Sequence, residues 1–211
     1  MTGSLSRFEF AGDAAYTRRI MRRYATFFDR GPVADLGSGR GFFLEALGAR
    51  GIEGIGVDSS DEALEYAAQI DLKCVKADVM EYLKTAGGLA GVFASHIIEH
   101  LQPEAAEAMI AEAARALVPG GRVLVVTPNM KDYRTLSELF WLDTTHVRPY
   151  PPRLIGAWMQ RHGLVVDEMG RGKVPHGRKA IPDLILGRLR FGRDYGTQEA
   201  FVRAHRPEQQ P

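Results

Sequence analysis

The chain of 211 residues has the length of one ordinary domain with a single buried core, and its composition, 45% hydrophobic and 25% charged, is that of a soluble globular protein. A formal net charge of +1 gives no global pull toward nucleic acid or membrane, and a lone cysteine, Cys74, excludes an internal disulfide and suits a reducing compartment. Residues 1–10 lack the apolar core of a secretory signal and no apolar run approaches about 18 residues, so a cytoplasmic protein without membrane insertion is expected.

Gly12 to Asp29 interleaves Ala15, Ile20, Tyr24, Phe27 and Phe28 with Arg18, Arg19, Arg22 and Arg23, which predicts an amphipathic helix with Asp13 as N-cap or first-turn acid. The arginines form either a solvated face or a phosphate-binding patch. This helical cap over 12–30 ends at Gly31-Pro32, and Val33 to Leu36 then reads as a strand. Glycines at 37, 39 and 41 form a turn, and Phe43, Leu44 and Leu47 carry the helix that follows. Gly51 to Val57 is a second strand ending in Asp58, and Ser59-Ser60 start a helix over Asp61 to Ile70. Leu72 to Ala77 is a third strand, ending in Asp78. Gly91 to Ser95 is a fourth, Pro103 to Leu117 an alanine-rich helix, and Arg122 to Thr127 a fifth strand, apolar as if buried on both faces.

Regular alternation of strand and helix predicts an α/β domain over 1–206, a doubly wound parallel sheet covered by helices. Ligands of such sheets sit beyond the strand C-terminal ends, where Gly37, Asp58, Asp78 and Ser95 fall. Asn129 to Arg148 is irregular and long enough to be an active-site lid, taken here as 129–150. Pro151-Pro152 open a helix with Leu154, Ile155, Trp158 and Met159, and Gly163 to Met169 suggests a sixth strand. A basic insertion over 171–192 precedes a last strand near Tyr195 to Arg203, and 207–211 is a tail.

The glycine turn lets a ligand approach the backbone without meeting a Cβ, and Asp58, about 20 residues on, could accept from both ribose hydroxyls. A dinucleotide fits poorly. The spacing Gly37-x-Gly39-x-Gly41 lacks the third dinucleotide glycine, and Asp35 in the preceding strand would repel a pyrophosphate but attract an ammonium and a sulfonium. Asp35-Leu36-Gly37-Ser38-Gly39-Arg40-Gly41 resembles the first motif of class I S-adenosylmethionine-dependent methyltransferases. That resemblance implies a single Rossmann-like domain of about seven strands, mostly parallel with the last antiparallel. It implies S-adenosyl-L-methionine held by Asp35, Gly37, Ser38, Gly39, Gly41, Asp58, Ser59, Asp78, Val79 and Ser95. Asp78-Val79 matches the position that receives the adenine amino group, although a helix cap for 79–83 explains Asp78 equally well on spacing alone.

Two later segments bear on the acceptor: Ser95-His96-Ile97-Ile98-Glu99-His100-Leu101 and Leu142-Asp143-Thr144-Thr145-His146-Val147-Arg148-Pro149-Tyr150. In a turn of helix, Glu99 and His100 lie three and four residues after His96, so all three face one way. A hydroxyl is scarcely ionised at neutral pH, and its methylation needs a positioned base or an acidifying cation. His146 is the candidate base or ligand, with Asp143 orienting it or the substrate, and Glu99, His100 and His146, joined by His96, form a mixed N/O set suited to a divalent ion. The arrangement resembles small-RNA 2′-O-methyltransferases, where it implies bound magnesium or manganese, with His96 departing from the acidic residue of that family. Ubiquinone-pathway O-methyltransferases also carry Glu-His here; Glu-His-Leu is common across class I methyltransferases, and Glu99 or His100 could instead cap a helix or hydrogen-bond the backbone.

Phe10-Ala11-Gly12, Ser95 to Leu101, Thr127-Pro128-Asn129 and Trp141 to Tyr150 together resemble bacterial methyltransferases of polysaccharide and glycan gene clusters, mycobacterial methylmannose polysaccharide 1-O-methyltransferases among them. A saccharide acceptor is implied. Trp141, Tyr150 and Tyr133 could stack on a sugar, and Asn129, Arg148, Asp143 and His146 could bind its hydroxyls. Competing readings keep the donor with an RNA ribose or a phenolic metabolite as acceptor, or make the protein a non-catalytic regulator. RNA would need the basic track of Arg171, Lys173, Arg178, Lys179, Arg188, Arg190 and Arg193, and near-neutral charge makes nucleic acid the weaker partner. A homodimer is permitted but not required.

Overall fold

The computed structural model describes residues 14–172, 181–192, 194 and 196–208. The expectations for Phe10-Ala11-Gly12, Asp13, Lys173, Arg178, Lys179, Arg193 and Tyr195 lie outside the described residues. Seven strands form one sheet: β1 (Val33–Leu36), β2 (Gly54–Asp58), β3 (Cys74–Lys76), β4 (Leu89–Ser95), β5 (Leu117–Pro128), β6 (Val165–Arg171) and β7 (Glu199–His205). The order is β3-β2-β1-β4-β5-β7-β6. Strands β1 to β5 pair in parallel, and β7 slots between β5 and β6, antiparallel to both. The expected mixed sheet is therefore present. The last strand in sequence is not an edge strand but an interior one.

Helices α1 (Ala14–Ala25) and α2 (Phe42–Gly48) cover one face, while α4 (Val79–Thr85), α5 (Pro103–Ala116) and α7 (Pro152–Arg161) cover the other, with α3 (Asp61–Gln69) beside β3. Strand alternation sorts the core accordingly. Ala34, Leu36, Val92, Ala94, Val123, Val125, Val202 and Ala204 face α5 and α7, whereas Val33, Phe93, Leu124 and Val126 face α1 and α2. Phe93 stacks on Phe43 at 3.9 Å between centroids and lies 5.9 Å from Tyr24, closing the core beneath the first glycine turn. Because it is 1% exposed, Phe93→Ala should destabilise the fold by about 3–5 kcal/mol, read as a lower midpoint in urea at unchanged slope.

Boundaries moved where propensity met packing. The predicted β2 start at Gly51 is a turn, and β3 shortens to three residues. Of the arginines on α1, Arg18 donates through Nε and Nη2 to Glu45 at 2.7 and 3.1 Å, tying α1 to α2. The predicted irregular lid is helical over 133–142, a π turn Thr135–Leu139 continuing into α6 (Phe140–Leu142). Asp132, fully buried, starts it by accepting from Thr135 N and Oγ1 at 3.1 and 2.8 Å and from Gly196 N at 2.7 Å. The basic insertion contains α8 (Ile181–Phe191).

Candidate active site

β1 and β4 are the neighbours from which the sheet winds in opposite directions, so the loops after them diverge and leave a trough at their C-terminal ends. Gly37, Gly39, Ser95 and His96 line both halves of that trough. One half, of 290 Å³, lies under α1 against Thr17, Met21, Asp35, Phe42 and Phe93. The other, of 400 Å³, is walled by Asp58, Ser59, Asp78, Val79, His100 and Asp143.

The three motif glycines divide in role. Gly37 and Gly39 take φ of +68° and +49°, and a Cβ at Gly39 would meet no protein atom within 4 Å, because it would stand in the trough. Gly41 instead caps α2, and a Cβ there would come within 2.3 Å of Leu72 Cδ1. It does not line either half of the trough, so the expectation that Gly41 binds the donor is corrected to one of packing. Asp58 braces the turn: Oδ2 accepts from Gly39 N and Oδ1 from Ser60 N, both at 2.9 Å. Asp78 caps α4, its Oδ1 accepting from Met80 N at 2.8 Å and Glu81 N at 3.2 Å, while the residue also lines the trough. The cap and an adenine contact are therefore compatible. Ser38 lies against Cys74, Oγ to Sγ 3.9 Å, and the Ser95 hydroxyl is buried without a hydrogen-bond partner.

Asp35 is 3% exposed. Burial, and then the charge of Asp58, push its carboxyl well above the ordinary carboxylate range. A ligand cation entering the trough would select the carboxylate and expel a proton. Affinity for a cationic ligand should therefore rise with pH, up to about tenfold per unit, until the elevated pKa is passed. The linked effect on the empty protein has the opposite sense, because a folded-state pKa above the unfolded value means stability is lost as pH climbs through it. Calorimetry with S-adenosylmethionine in buffers of different ionisation enthalpy should show proton release, and Asp35→Asn should abolish it.

The segment after β4 does not form the single helical face expected. Only Ile98–His100 makes a 3₁₀ turn, and His96 takes φ +56°. His96 thereby turns away from His100, placing Nδ1 2.9 Å from Glu99 Oε1 and Nε2 3.2 Å from Glu199 Oε1. Glu199 Oε2 accepts from the Tyr24 hydroxyl at 2.8 Å. Burial opposes protonation of His96, but hydrogen bonds and charges of Glu199 and Glu99 outweigh it and raise its pKa to about 10. With both nitrogens protonated and facing carboxylates, His96 has no lone pair for a cation. The expectation that His96 is a metal ligand is thus corrected.

Glu99, His100 and His146 do converge, one ligand atom of each lying within 4.8 Å of the others. Their partners fix which atoms are free. His146 Nδ1 is 2.5 Å from the Phe140 carbonyl, which can only accept, so Nδ1 carries the proton and Nε2 the lone pair. His100 Nδ1 faces Thr145 Oγ1 at 2.9 Å and Thr145 O at 3.3 Å. Thr145 Oγ1 already donates to Asp143 Oδ1 at 2.6 Å, so His100 Nδ1 is again the donor. Burial, opposed by the Glu99 charge and reinforced by His146, lowers the His100 pKa. Burial works to raise that of Asp143, but bonds from Thr145 Oγ1 and N bring it below the usual range. Glu99, wholly buried, uses Oε1 on His96 and leaves Oε2 without a partner. Among the described residues Glu99 Oε2 is thus a buried oxygen without a partner beside two imidazoles, while His146 Nε2 stands 3.9 Å from Asp143 Oδ2.

The substrate candidates separate. Trp141 is 60% exposed, held by Nε1 donating to Leu136 O at 2.8 Å, and Arg148 is exposed with its guanidinium 5.2 Å from the Tyr150 ring. Tyr150 itself is fully buried, donates to Leu101 O at 2.8 Å and packs on Trp158, so it offers no sugar platform. Asn129 is 3% exposed and spends Nδ2 on Thr197 O and Oγ1 at 2.6 and 3.0 Å and Oδ1 on Lys131 N, so it is a hinge clamp and not a substrate contact. Glu199, Tyr24, Thr145 and Phe140 escaped the sequence reading as site residues.

The profile of the methyltransferase-domain family matches residues 8–169. Among curated proteins, the ubiquinone biosynthesis O-methyltransferase of Idiomarina loihiensis is 31% identical over 105 residues, 46% of this chain and 42% of that protein, so the match spans under half of that relative. A solved S-adenosylmethionine-dependent methyltransferase from Archaeoglobus fulgidus is 26% identical with a TM-score of 0.79, covering 94% of this chain and 97% of that one. A methyltransferase in complex with the Trm112 activator of Haloferax volcanii, at 18% identity, TM-score 0.71 and 91% coverage of both chains, shares the fold. The chain belongs to the methyltransferase-domain family and has the S-adenosylmethionine-binding fold of its solved relatives.

Proposed function

We propose that the protein is an S-adenosylmethionine-dependent O-methyltransferase whose acceptor is a sugar hydroxyl. The observation that carries the O-methylation is the convergence of His100, which lines the trough, with His146 and with Glu99, whose Oε2 has no partner. The ammonium of the donor would sit toward Asp35, the ribose against Asp58 and the adenine beside Asp78 and Val79. The acceptor oxygen would then approach from the side of His100 and Asp143, in line with the breaking sulfur–carbon bond. A neutral imidazole there removes the hydroxyl proton as the new oxygen–carbon bond forms, and S-adenosylhomocysteine leaves.

The same donor set fits a divalent cation, since a buried carboxylate oxygen without a partner and two imidazoles with fixed tautomers are what an N/O site requires. Two imidazoles to one carboxylate favour manganese over magnesium. Such an ion would acidify the hydroxyl. The exposed indole of Trp141, one residue from the carbonyl that anchors His146, supports stacking on a pyranose face. Methyl transfer from tritiated donor to a panel of neutral oligosaccharides, with and without EDTA, tests the proposal. Label in a phenolic acceptor or RNA but in no saccharide would overturn the sugar assignment, and full activity after chelation would remove the cation.

A further inference from the structure

The basic insertion is not explained by methyl transfer. Between residues 171 and 193 the sequence carries seven Lys and Arg against one acid, Asp183, in a chain whose formal net charge is only +1. Within it, α8 exposes Ile185 (56%), Leu186 (67%) and Leu189 (81%). At 100° per residue these three share an arc of about 100°, with Arg188 and Arg190 beside it. Phe191 at the end of α8 stacks on Tyr133 with centroids 4.6 Å apart and planes within 8°, joining α8 to the lid. The lid in turn exposes Leu136, Trp141 and Leu142.

We propose that α8 docks the protein on an anionic lipid surface. The helix has 11 residues, about half of what spans a bilayer, so it lies in the interface with its aliphatic stripe among the acyl chains and its arginines at the headgroups. Both halves of the chemistry are needed to choose this occupant. Phosphates of a nucleic acid would meet the cations but leave the exposed leucine and isoleucine side chains in water. A second copy would cover the aliphatic stripe but bring two strongly basic segments together. An anionic bilayer takes both.

Co-sedimentation of the full-length chain with vesicles tests this, comparing phosphatidylcholine alone with phosphatidylcholine mixed with phosphatidylglycerol at low and high salt. Partitioning to the anionic vesicles, weakened by salt, is expected. The double variants Leu186→Ser/Leu189→Ser and Arg188→Glu/Arg190→Glu should each weaken it by about tenfold or more. Circular dichroism and S-adenosylhomocysteine affinity should not change, since none of the substituted residues lines either half of the trough. Equal binding to neutral and anionic vesicles, or wild-type partitioning by the leucine variant, would overturn the proposal. So would RNA binding that the leucine variant retains in place of vesicle binding, or a dimer by light scattering that this variant dissolves.

Discussion

His146→Ala should lower turnover by about 10²–10³ while leaving affinity for S-adenosylhomocysteine within about twofold. The split follows from position. His146 stacks on Phe140 at 4.4 Å and lies 4.7 Å from the His100 ring, but it does not line either half of the trough. Removing it takes away a lone pair at the acceptor side without touching the donor cleft. Asp143→Asn should cost less, because its carboxylate orients Thr145 and through it His100, and it stands 3.9 Å from His146 Nε2. Rapid-quench turnover beside calorimetric donor binding reads both quantities. Normal turnover in His146→Ala would dispose of the base and the cation together.

Gly39→Ala should reduce donor affinity by about a hundredfold, about 3 kcal/mol, which exceeds its cost in stability. The new methyl group meets no protein atom, so the folded protein bears only the left-handed backbone, roughly 1–2 kcal/mol. It would, however, occupy space that the donor needs. Gly41→Ala makes the opposite pattern, since its Cβ runs into Leu72 at 2.3 Å outside the trough. Thermal melts with and without S-adenosylhomocysteine distinguish the two. Gly41→Ala, which adds the clash to the same backbone strain, should melt lowest yet still be stabilised by ligand, whereas Gly39→Ala should melt only a few degrees below the wild type and gain little. A Gly39→Ala protein that binds donor normally would mean the turn serves packing alone.

What sequence reading could reach was set by distance along the chain. The donor half is local: strand, glycine turn and the acid about 20 residues on form one βαβ unit, so Asp35, Gly37, Gly39 and Asp58 could be placed together from spacing. Glu199 was out of reach. It lies 103 residues from His96, and only the insertion of β7 opposite Pro128 brings it to the same end of the sheet. In sequence it is one more polar position in an alternating strand. Tyr24 was read as an apolar position of a helix, and nothing in its neighbours signals a buried hydroxyl facing a carboxylate. Tyr150 and Asn129 failed for the reverse reason. An aromatic or amide in a lid looks the same whether it faces solvent or the core, and Leu101 and Thr197, the groups that claim them, are 49 and 68 residues away. His96 shows that spacing rules assume regular backbone, which its φ of +56° denies.

The placement of β7 makes closure of the sheet a late event in synthesis. β5 and β6 each pair with β7 and not with one another, and Glu199 at its first position is what faces both His96 and Tyr24. A nascent chain stopped before residue 199 would already own the glycine turn, all three acids of the donor cleft and the converging histidines, yet would leave β6 unattached and His96 held from one side only. Closure of the sheet, and the second carboxylate on His96, therefore wait for residues 199–205.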